Sequence, residues 1–409
     1  MASLTSMLTS PVFLSYASIP VTCGFIGWFT NWVALKMTFY PLSFFGIPPY
    51  LGWQGVIPRK APKIAGTSVD LITSRLITKK EVFDRIDPVR LSAELAPIFD
   101  MITEDIVADI VTKQSPTLWE MMPRTLKNQI IRQVKEEVPT VMSSVFKEYR
   151  ENIDDLFDLK GLVLHNLTGP NVQLLNEMFQ RCGEAEFKFI ERSGLYIGFV
   201  MGLAQCVVWY FFARWWLLPI IGVIVGYITN WVALKMIFEP LYPTKYWFFT
   251  YQGLFLKRQA EVSKEYADIV ANRIMVPSKV IDMMIRGNRA EAFFEIVQRH
   301  VKRAIDSKAH LFKGVILFTI GTKQYRELKD YACQRIIDTI PKYSQRAEAY
   351  WKEAMDVENT LYTRLKELPA PDFEDILHSC FKEDEFILIL VGAALGLMVG
   401  LFQGLYVVV

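Results

Sequence analysis

The sequence predicts a mostly helical membrane protein with four transmembrane helices in two parallel tandem copies, each carrying a helical domain between its two spans. Three observations predict it. Thr30-Asn31-Trp32-Val33-Ala34-Leu35-Lys36-Met37 recurs as Thr229-Asn230-Trp231-Val232-Ala233-Leu234-Lys235-Met236, 199 residues further on. Four apolar runs are long enough to cross a bilayer core, which takes about 20 apolar residues. The stretches between them are polar, and their apolar residues recur at helical spacing, as in Ile102, Ile106, Val107 and Ile110.

The first apolar run covers 12–37, the second 195–212, the third 217–238 and the fourth 386–409. Copy one is therefore 11–213, with its helical domain at 38–193. Copy two is 217–409, with its domain at 239–385. The link Ala213-Arg214-Trp215-Trp216 is so short that the second and third runs form a hairpin. Both large domains then lie on the face opposite that link. Basic residues choose the face. Lys36, Arg59, Lys60 and Lys63 follow the first run, and Lys235, Lys245, Lys257 and Arg258 follow the third, whereas the link holds Arg214 alone. Both domains are expected in the cytoplasm and both termini outside, in a plasma membrane. The duplication extends to Gln54-Gly55 with Gln252-Gly253, Asp70 with Asp268, Cys182 with Cys380, and Gly198, Gly202 and Gln205 with Gly396, Gly400 and Gln403. Both copies enter the membrane from the same side, so a pseudo-twofold axis along the membrane normal is expected, by analogy with transporters built of parallel halves.

After each repeated motif comes an aromatic, proline-rich patch, 40–53 and 239–251. Prolines at that density end a helix, and Trp, Tyr and Phe suit the headgroup layer. These patches are expected as interfacial platforms or shallow re-entrant loops. Prolines 88, 97, 116, 123, 139 and 170 are expected to punctuate the helices of the first domain. Gly314-Val-Ile-Leu-Phe-Thr-Ile320 is the best strand signal, although a buried helix turn explains it equally well.

Composition narrows the function. Hydrophobic residues make up 52% and charged residues 22%, which suits spans plus water-facing domains. A net charge of +2 argues against a nucleic-acid partner. Five cysteines without a CxxC spacing, and four histidines without a paired motif, supply neither a disulfide frame nor a metal site. No phosphate loop and no nucleophile elbow occurs, so no enzyme and no cofactor is expected. The N-terminus lacks a basic leader, so no cleaved signal is expected.

The candidate residues lie on two faces of the repeated motif. Gly27, Asn31 and Ala34, with Gly226, Asn230 and Ala233, make a small-residue strip with a polar centre. Trp28, Trp32 and Lys36, with Tyr227, Trp231 and Lys235, make an aromatic strip ending in a cation at the inner interface. Two readings stand. Asn31, Asn230, Lys36 and Lys235, with Thr30 and Thr229, form a paired site near the axis for an ion, a lipid headgroup or an anionic solute. Alternatively, Asn holds helices together and Lys anchors the interface; this second reading is preferred. Gln205 and Gln403 are the expected bonding partners of Asn31 and Asn230. Gly392, Gly396, Gly400 and Gly404, four apart, form a groove for a neighbouring helix or for a second copy of the chain. The run Glu383-Asp384-Glu385 reads as an acidic cap facing Arg59-Lys60 or Lys257-Arg258. His165 and His378 read as surface or satisfied core residues.

The motif at 27–42, the Gln-Gly-Val-Ile-Pro-Arg-Lys segment at 54–60, Phe373-Glu-Asp-Ile-Leu377, Phe381-Lys-Glu-Asp-Glu-Phe386 and the Gly392-to-Gln403 pattern together resemble the domain of unknown function 445 family of bacterial membrane proteins. The resemblance covers nearly the whole chain and implies a multi-helix inner-membrane protein without an assigned activity. Copy two departs from the pattern where Leu254-Phe-Leu256 replaces Val56-Ile-Pro58 and Glu239 precedes its proline. The expected function is a non-enzymatic, self-associating membrane scaffold or envelope organiser, whose partner is the lipid bilayer. A transporter, channel or lipid-handling protein is the alternative, and no substrate can be read.

Overall fold

The computed structural model describes residues 11–47, 51–114, 116–212, 214–246, 249–309, 323, 325–327, 329–339, 348–378 and 385–406. The strand signal at 314–320 and the carboxylates Glu383 and Asp384 lie outside these residues. Four long helices set the frame: α1 (Pro11–Phe39), α2 (Glu184–Phe211), α3 (Leu217–Phe238) and α4 (Glu385–Tyr406). Among the described residues, three helices are long and apolar enough to cross a membrane: α2, α3 and α4 as far as Leu405. The fourth expected span falls in α1, which is 29 residues long but is not one of the three. α2 is longer than the apolar run that predicts it, beginning at Glu184.

The chain condenses into two units, and they cut across the two sequence copies. Residues 1–71, 165–266 and 362–409 form the first, and 72–164 with 267–361 form the second. The middles of the two copies, expected as separate domains, thus fold as one body.

In the first unit α1 packs along α2 and α3 along α4, and the two pairs meet through α2 with α3 and α1 with both α3 and α4. The surfaces left over carry large exposed apolar residues, among them Tyr196, Val200, Val207 and Tyr210 on α2 and Phe386, Met398 and Phe402 on α4. α1 and α3 end alike. Tyr40-Pro41 and Glu239-Pro240 are cis peptides, and each is followed by a two-stranded antiparallel hairpin. In copy one β1 (Phe45–Ile47) pairs with β2 (Leu51–Trp53); in copy two β3 (Thr244–Tyr246) pairs with β4 (Phe249–Tyr251). The expected platforms are therefore hairpins. Side-chain hydrogen bonds tie each back to its helix. Trp53 Nε1 donates to the Met37 carbonyl at 3.1 Å and Gln54 Nε2 to the Leu42 carbonyl at 2.9 Å. Tyr251 and Gln252 do the same to Met236 and Leu241. Gly55 and Gly253 sit so close to the ends of α1 and α3 that a Cβ there would lie 2.7–2.8 Å from backbone atoms of Phe39, Tyr40, Ile237 or Phe238.

In the second unit the helix Pro88–Gln114 packs on Arg124–Glu151, which also meets Ala290–Ala309. Its core is aromatic: Phe83 lies 5.3 Å from Phe157, and Tyr149 stands edge-on to Phe293 at 5.5 Å. Pro88 and Pro116 open helices as expected, but Pro97 and Pro139 lie inside them. Each removes one backbone hydrogen bond. Tertiary packing overrides that local penalty, as it overrides other propensities.

Candidate functional site

The repeated motif places Thr and Asn where α1 meets α2 and α3 meets α4. Thr30, Asn31, Thr229 and Asn230 are all buried. The threonine hydroxyls donate back into their own helices: Thr30 to the Gly27 carbonyl and Thr229 to the Val225 and Gly226 carbonyls. The asparagines bond across the interface. Asn31 Nδ2 donates to the Ile190 carbonyl of α2 at 2.7 Å, and Asn230 Nδ2 to the Leu388 carbonyl of α4 at 2.8 Å. A helix carbonyl offers a second lone pair, so an amide one helix away can use it without breaking the helix.

Glycines make that reach available. A methyl group on Gly27 would overlap the Gly194 carbonyl, and one on Gly226 would overlap the Gly392 carbonyl. Gly198 and Gly202 lie against Pro20 to Gly24 of α1, and Gly396 and Gly400 against Gly222 and Leu218 of α3. Gly404 is looser, 3.3 Å from the Trp215 carbonyl. The glycine groove of α4 is thus filled by α3 of the same chain.

Gln205 and Gln403 do not bond the asparagines. Gln205 Oε1 accepts from the Cys23 thiol at 2.8 Å, and Gln403 Nε2 donates to the Thr22 hydroxyl at 3.1 Å. Cys23 precedes Asn31 by two helical turns, so the glutamines lie well along the bundle, about 12 Å from the asparagine level at 1.5 Å of rise per residue. Gln205 meets α1 at another depth than Asn31, whereas Gln403 turns to α1 and not to Asn230 on α3. Two polar atoms in the α1–α2 interface, Asn31 Oδ1 and Gln205 Nε2, are buried without a hydrogen-bond partner.

The lysines stand apart from the asparagines. Lys36 and Lys235 are exposed. Lys36 Nζ lies 5.7 Å from the Tyr40 ring centre, while Lys235 Nζ is 3.3 Å from Glu239 and 5.3 Å from the Trp231 ring. The structure does not join Asn and Lys into one constellation.

Of the basic clusters, Arg59 and Lys257 are exposed and Lys60 is half-buried. Arg258 takes both carboxylate oxygens of Glu186, at 2.8 and 2.9 Å, and bonds Glu261 through Nε at 2.7 Å. Glu186 occupies the position in copy one that Asp384, outside the described residues, occupies in copy two. His378 is half-buried with both ring nitrogens satisfied. Its ring stacks on Phe238, with centres 4.1 Å apart, and its two nitrogens meet Glu374 and Glu385. Burial would lower its pKa, but the hydrogen bonds to Glu385 and Glu374 outweigh burial and raise it. The equivalent places in copy one hold Gln180, Asn176 and Phe187. Gly194 and Glu186 could have been found by carrying the repeat offset back from Gly392 and Asp384. The His378 cluster has no such signal, because copy one lacks it. No group of three or more His, Cys, Asp or Glu suited to a metal ion occurs among the described residues.

Over 124 residues, 27% of its length, the chain is 29% identical to a UPF0754 membrane protein of Gloeothece citriformis (strain PCC 7424). It resembles a membrane protein of an uncharacterised family. The match spans 30% of that relative. No family model matches the chain, and no solved structure does.

Proposed function

We propose that this chain is a non-enzymatic, four-span protein of the bacterial plasma membrane that acts as a scaffold. Its two parallel copies cross the bilayer through α1 to α4, with both large helical segments in the cytoplasm and both termini outside. The observation that carries the scaffold reading is how the repeated polar motif is used. Asn31 and Asn230 each spend their amide on a backbone carbonyl of the paired helix, between backbones in contact at Gly27–Gly194 and Gly226–Gly392. Polar residues used as seams between helices leave the helical segments of 72–164 and 267–361 as the working surface. The resemblance to the domain of unknown function 445 family and the likeness to a UPF0754 membrane protein support the membrane setting.

A second reading, transport or lipid handling, is favoured by the unpartnered Asn31 Oδ1 and Gln205 Nε2 in the α1–α2 interface. Buried polar atoms without partners are costly in a membrane interior and mark ion or solute paths. Reconstitution separates the two. The scaffold reading expects vesicles carrying the purified chain to show no solute or ion flux above empty vesicles, and cross-linking in cells to trap the chain with itself and with envelope proteins. Flux that Asn31→Leu abolishes at unchanged melting temperature would establish the second reading.

A further inference from the structure

The two platforms differ at the turn after the repeated lysine, where copy one has Tyr40 and copy two Glu239, and that difference is one of charge. At the end of α1 an open groove of about 720 Å³ is lined by Trp32, Lys36, Tyr40, Phe45 and Trp53 with their neighbours. Trp32, Lys36 and Tyr40 are spaced by four and share one helix face. The groove is apolar apart from Lys36 and the Tyr40 hydroxyl. The Trp53 indole N–H is already committed to the Met37 carbonyl, so that ring offers hydrocarbon alone. Phe45, at 79% exposed, stands open to whatever surrounds the hairpin. Lys36 has no carboxylate partner among the described residues. Its neighbour at the next turn is Tyr40, whose oxygen accepts from Gln180 Nε2 at 3.3 Å and so keeps its own O–H free to donate. In copy two the residue at that turn is Glu239, and it neutralises Lys235 at 3.3 Å.

We propose that the copy-one groove holds one anionic glycerophospholipid of the surrounding bilayer. Its phosphate meets Lys36 and the Tyr40 hydroxyl, and an acyl chain lies against Trp32, Phe45 and Trp53. A cation with no carboxylate partner among the described residues, at the mouth of an aromatic groove where a membrane helix ends, matches a ligand with a phosphate at one end and hydrocarbon at the other. A free phosphate would leave the aromatic wall in water; a neutral or zwitterionic lipid would leave the ammonium without net compensation. Copy two fails the same test, because Glu239 supplies the anion internally. One lipid per chain is the consequence, bound on one side of a nearly symmetric frame. The inference rests on the membrane reading and adds to it a ligand class and an asymmetry.

The test is lipid retention by the purified full chain in nanodiscs of mixed dioleoylphosphatidylglycerol and dioleoylphosphatidylcholine, read by native mass spectrometry. The wild type is expected to retain one phosphatidylglycerol in preference to phosphatidylcholine. Tyr40→Glu, which copies the second platform onto the first, is expected to weaken that preference about fivefold, the worth of one lysine near an anionic surface. Lys36→Gln, at an exposed side chain, is expected to do the same and stands in if Tyr40→Glu lowers the melting temperature. Lys235→Gln should change nothing, and Glu239→Tyr should add a second retained lipid. Equal retention of the two lipids by the wild type, no effect of Lys36→Gln, or an equal effect of Lys235→Gln would overturn the proposal. Displacement of phosphatidylglycerol by inorganic phosphate alone would overturn it too, by making the groove a phosphate site. A chain that alkaline carbonate strips from vesicles would sink the membrane reading instead, so the two failures are told apart.

Discussion

Arg258 holds Glu186 by both carboxylate oxygens, at 2.8 and 2.9 Å, and through that contact the second sequence copy grips the root of α2 in the first. Glu186 is 2% exposed, so its charge has little water to fall back on. A buried charge is tolerable while paired and costly when orphaned, whereas replacing both members with apolar groups is often neutral. Arg258→Leu is therefore expected to cost about 2–3 kcal/mol. Glu186→Leu should cost less, because Arg258 keeps Glu261 and partial contact with water. The double variant Glu186→Leu with Arg258→Leu should recover part of the loss. Thermal unfolding of the four proteins in one detergent gives the coupling; additive losses would show that the pair contributes nothing as a pair.

The two asparagines make the same bond but should not respond equally to the same substitution. Leu keeps the branching of Asn and removes one interhelical hydrogen bond, worth about 0.6 kcal/mol and at most about 1.7 in a membrane protein. At Asn31 the change also removes a buried oxygen that has no partner. Asn230→Leu is thus expected to lower stability by about 1 kcal/mol, and Asn31→Leu by less or not at all. Gly27→Val and Gly226→Val should be far worse than either, because backbone lies where the new side chain would sit. If Asn31→Leu proved the more damaging of the two asparagine changes, its oxygen would have to be in use.

How much of this was legible in the sequence depends on what duplication preserves. The seam residues were legible because the same packing constraint acts twice: Gly27 and Asn31 recur as Gly226 and Asn230, and the structure finds each pair bonded to a partner helix. The partners were half legible. Gly392 and Gly396 show a groove, but helical phase carries neither depth nor the identity of the neighbour: Gln205 meets Cys23 of α1 in place of Asn31, and Gln403 meets Thr22 of α1 in place of Asn230 on α3. The hairpins were not legible, because strands of three residues are too short to show alternation. Nor was the joining of residues 72–164 with 267–361 into one unit. Periodicity says that a helix has an apolar face and not which helix will cover it.

The expected orientation follows from where the cations lie and can be read with a membrane-impermeant maleimide on intact cells. In a background carrying Cys206→Ser and Cys380→Ser, Arg214→Cys in the link between α2 and α3 is expected to label from outside. Lys80→Cys, at an exposed position of the helix Lys79–Asp84, is expected to label only after the cells are opened. Labelling of Lys80→Cys in intact cells would invert the whole arrangement, and with it the cytoplasmic placement of the helical segments.

His378 predicts a pH dependence with a definite sign. Its two nitrogens face Glu374 on its own helix and Glu385 at the start of α4, and its ring lies flat on Phe238 at the end of α3. Both nitrogens can donate only in the imidazolium form. Burial opposes that form, but the two carboxylates prevail, and the folded pKa stands above the ordinary value of 6.5. A group whose pKa is higher folded than unfolded gives stability that is fully present below the unfolded value and is lost as pH rises through the folded one. The wild-type melting temperature should therefore fall as pH is taken from 6.5 upward past that raised value. His378→Gln keeps a polar side chain of similar reach but loses the charge. It should cost about 1.5–3 kcal/mol at low pH, the worth of a hydrogen bond to a charged group, and less at high pH, so its melting curve should be flatter across the same range. Copy one, with Gln180, Asn176 and Phe187 in these places, supplies no titrating counterpart to mask the effect. A His378→Gln protein with the same pH slope as the wild type would place the titrating group elsewhere.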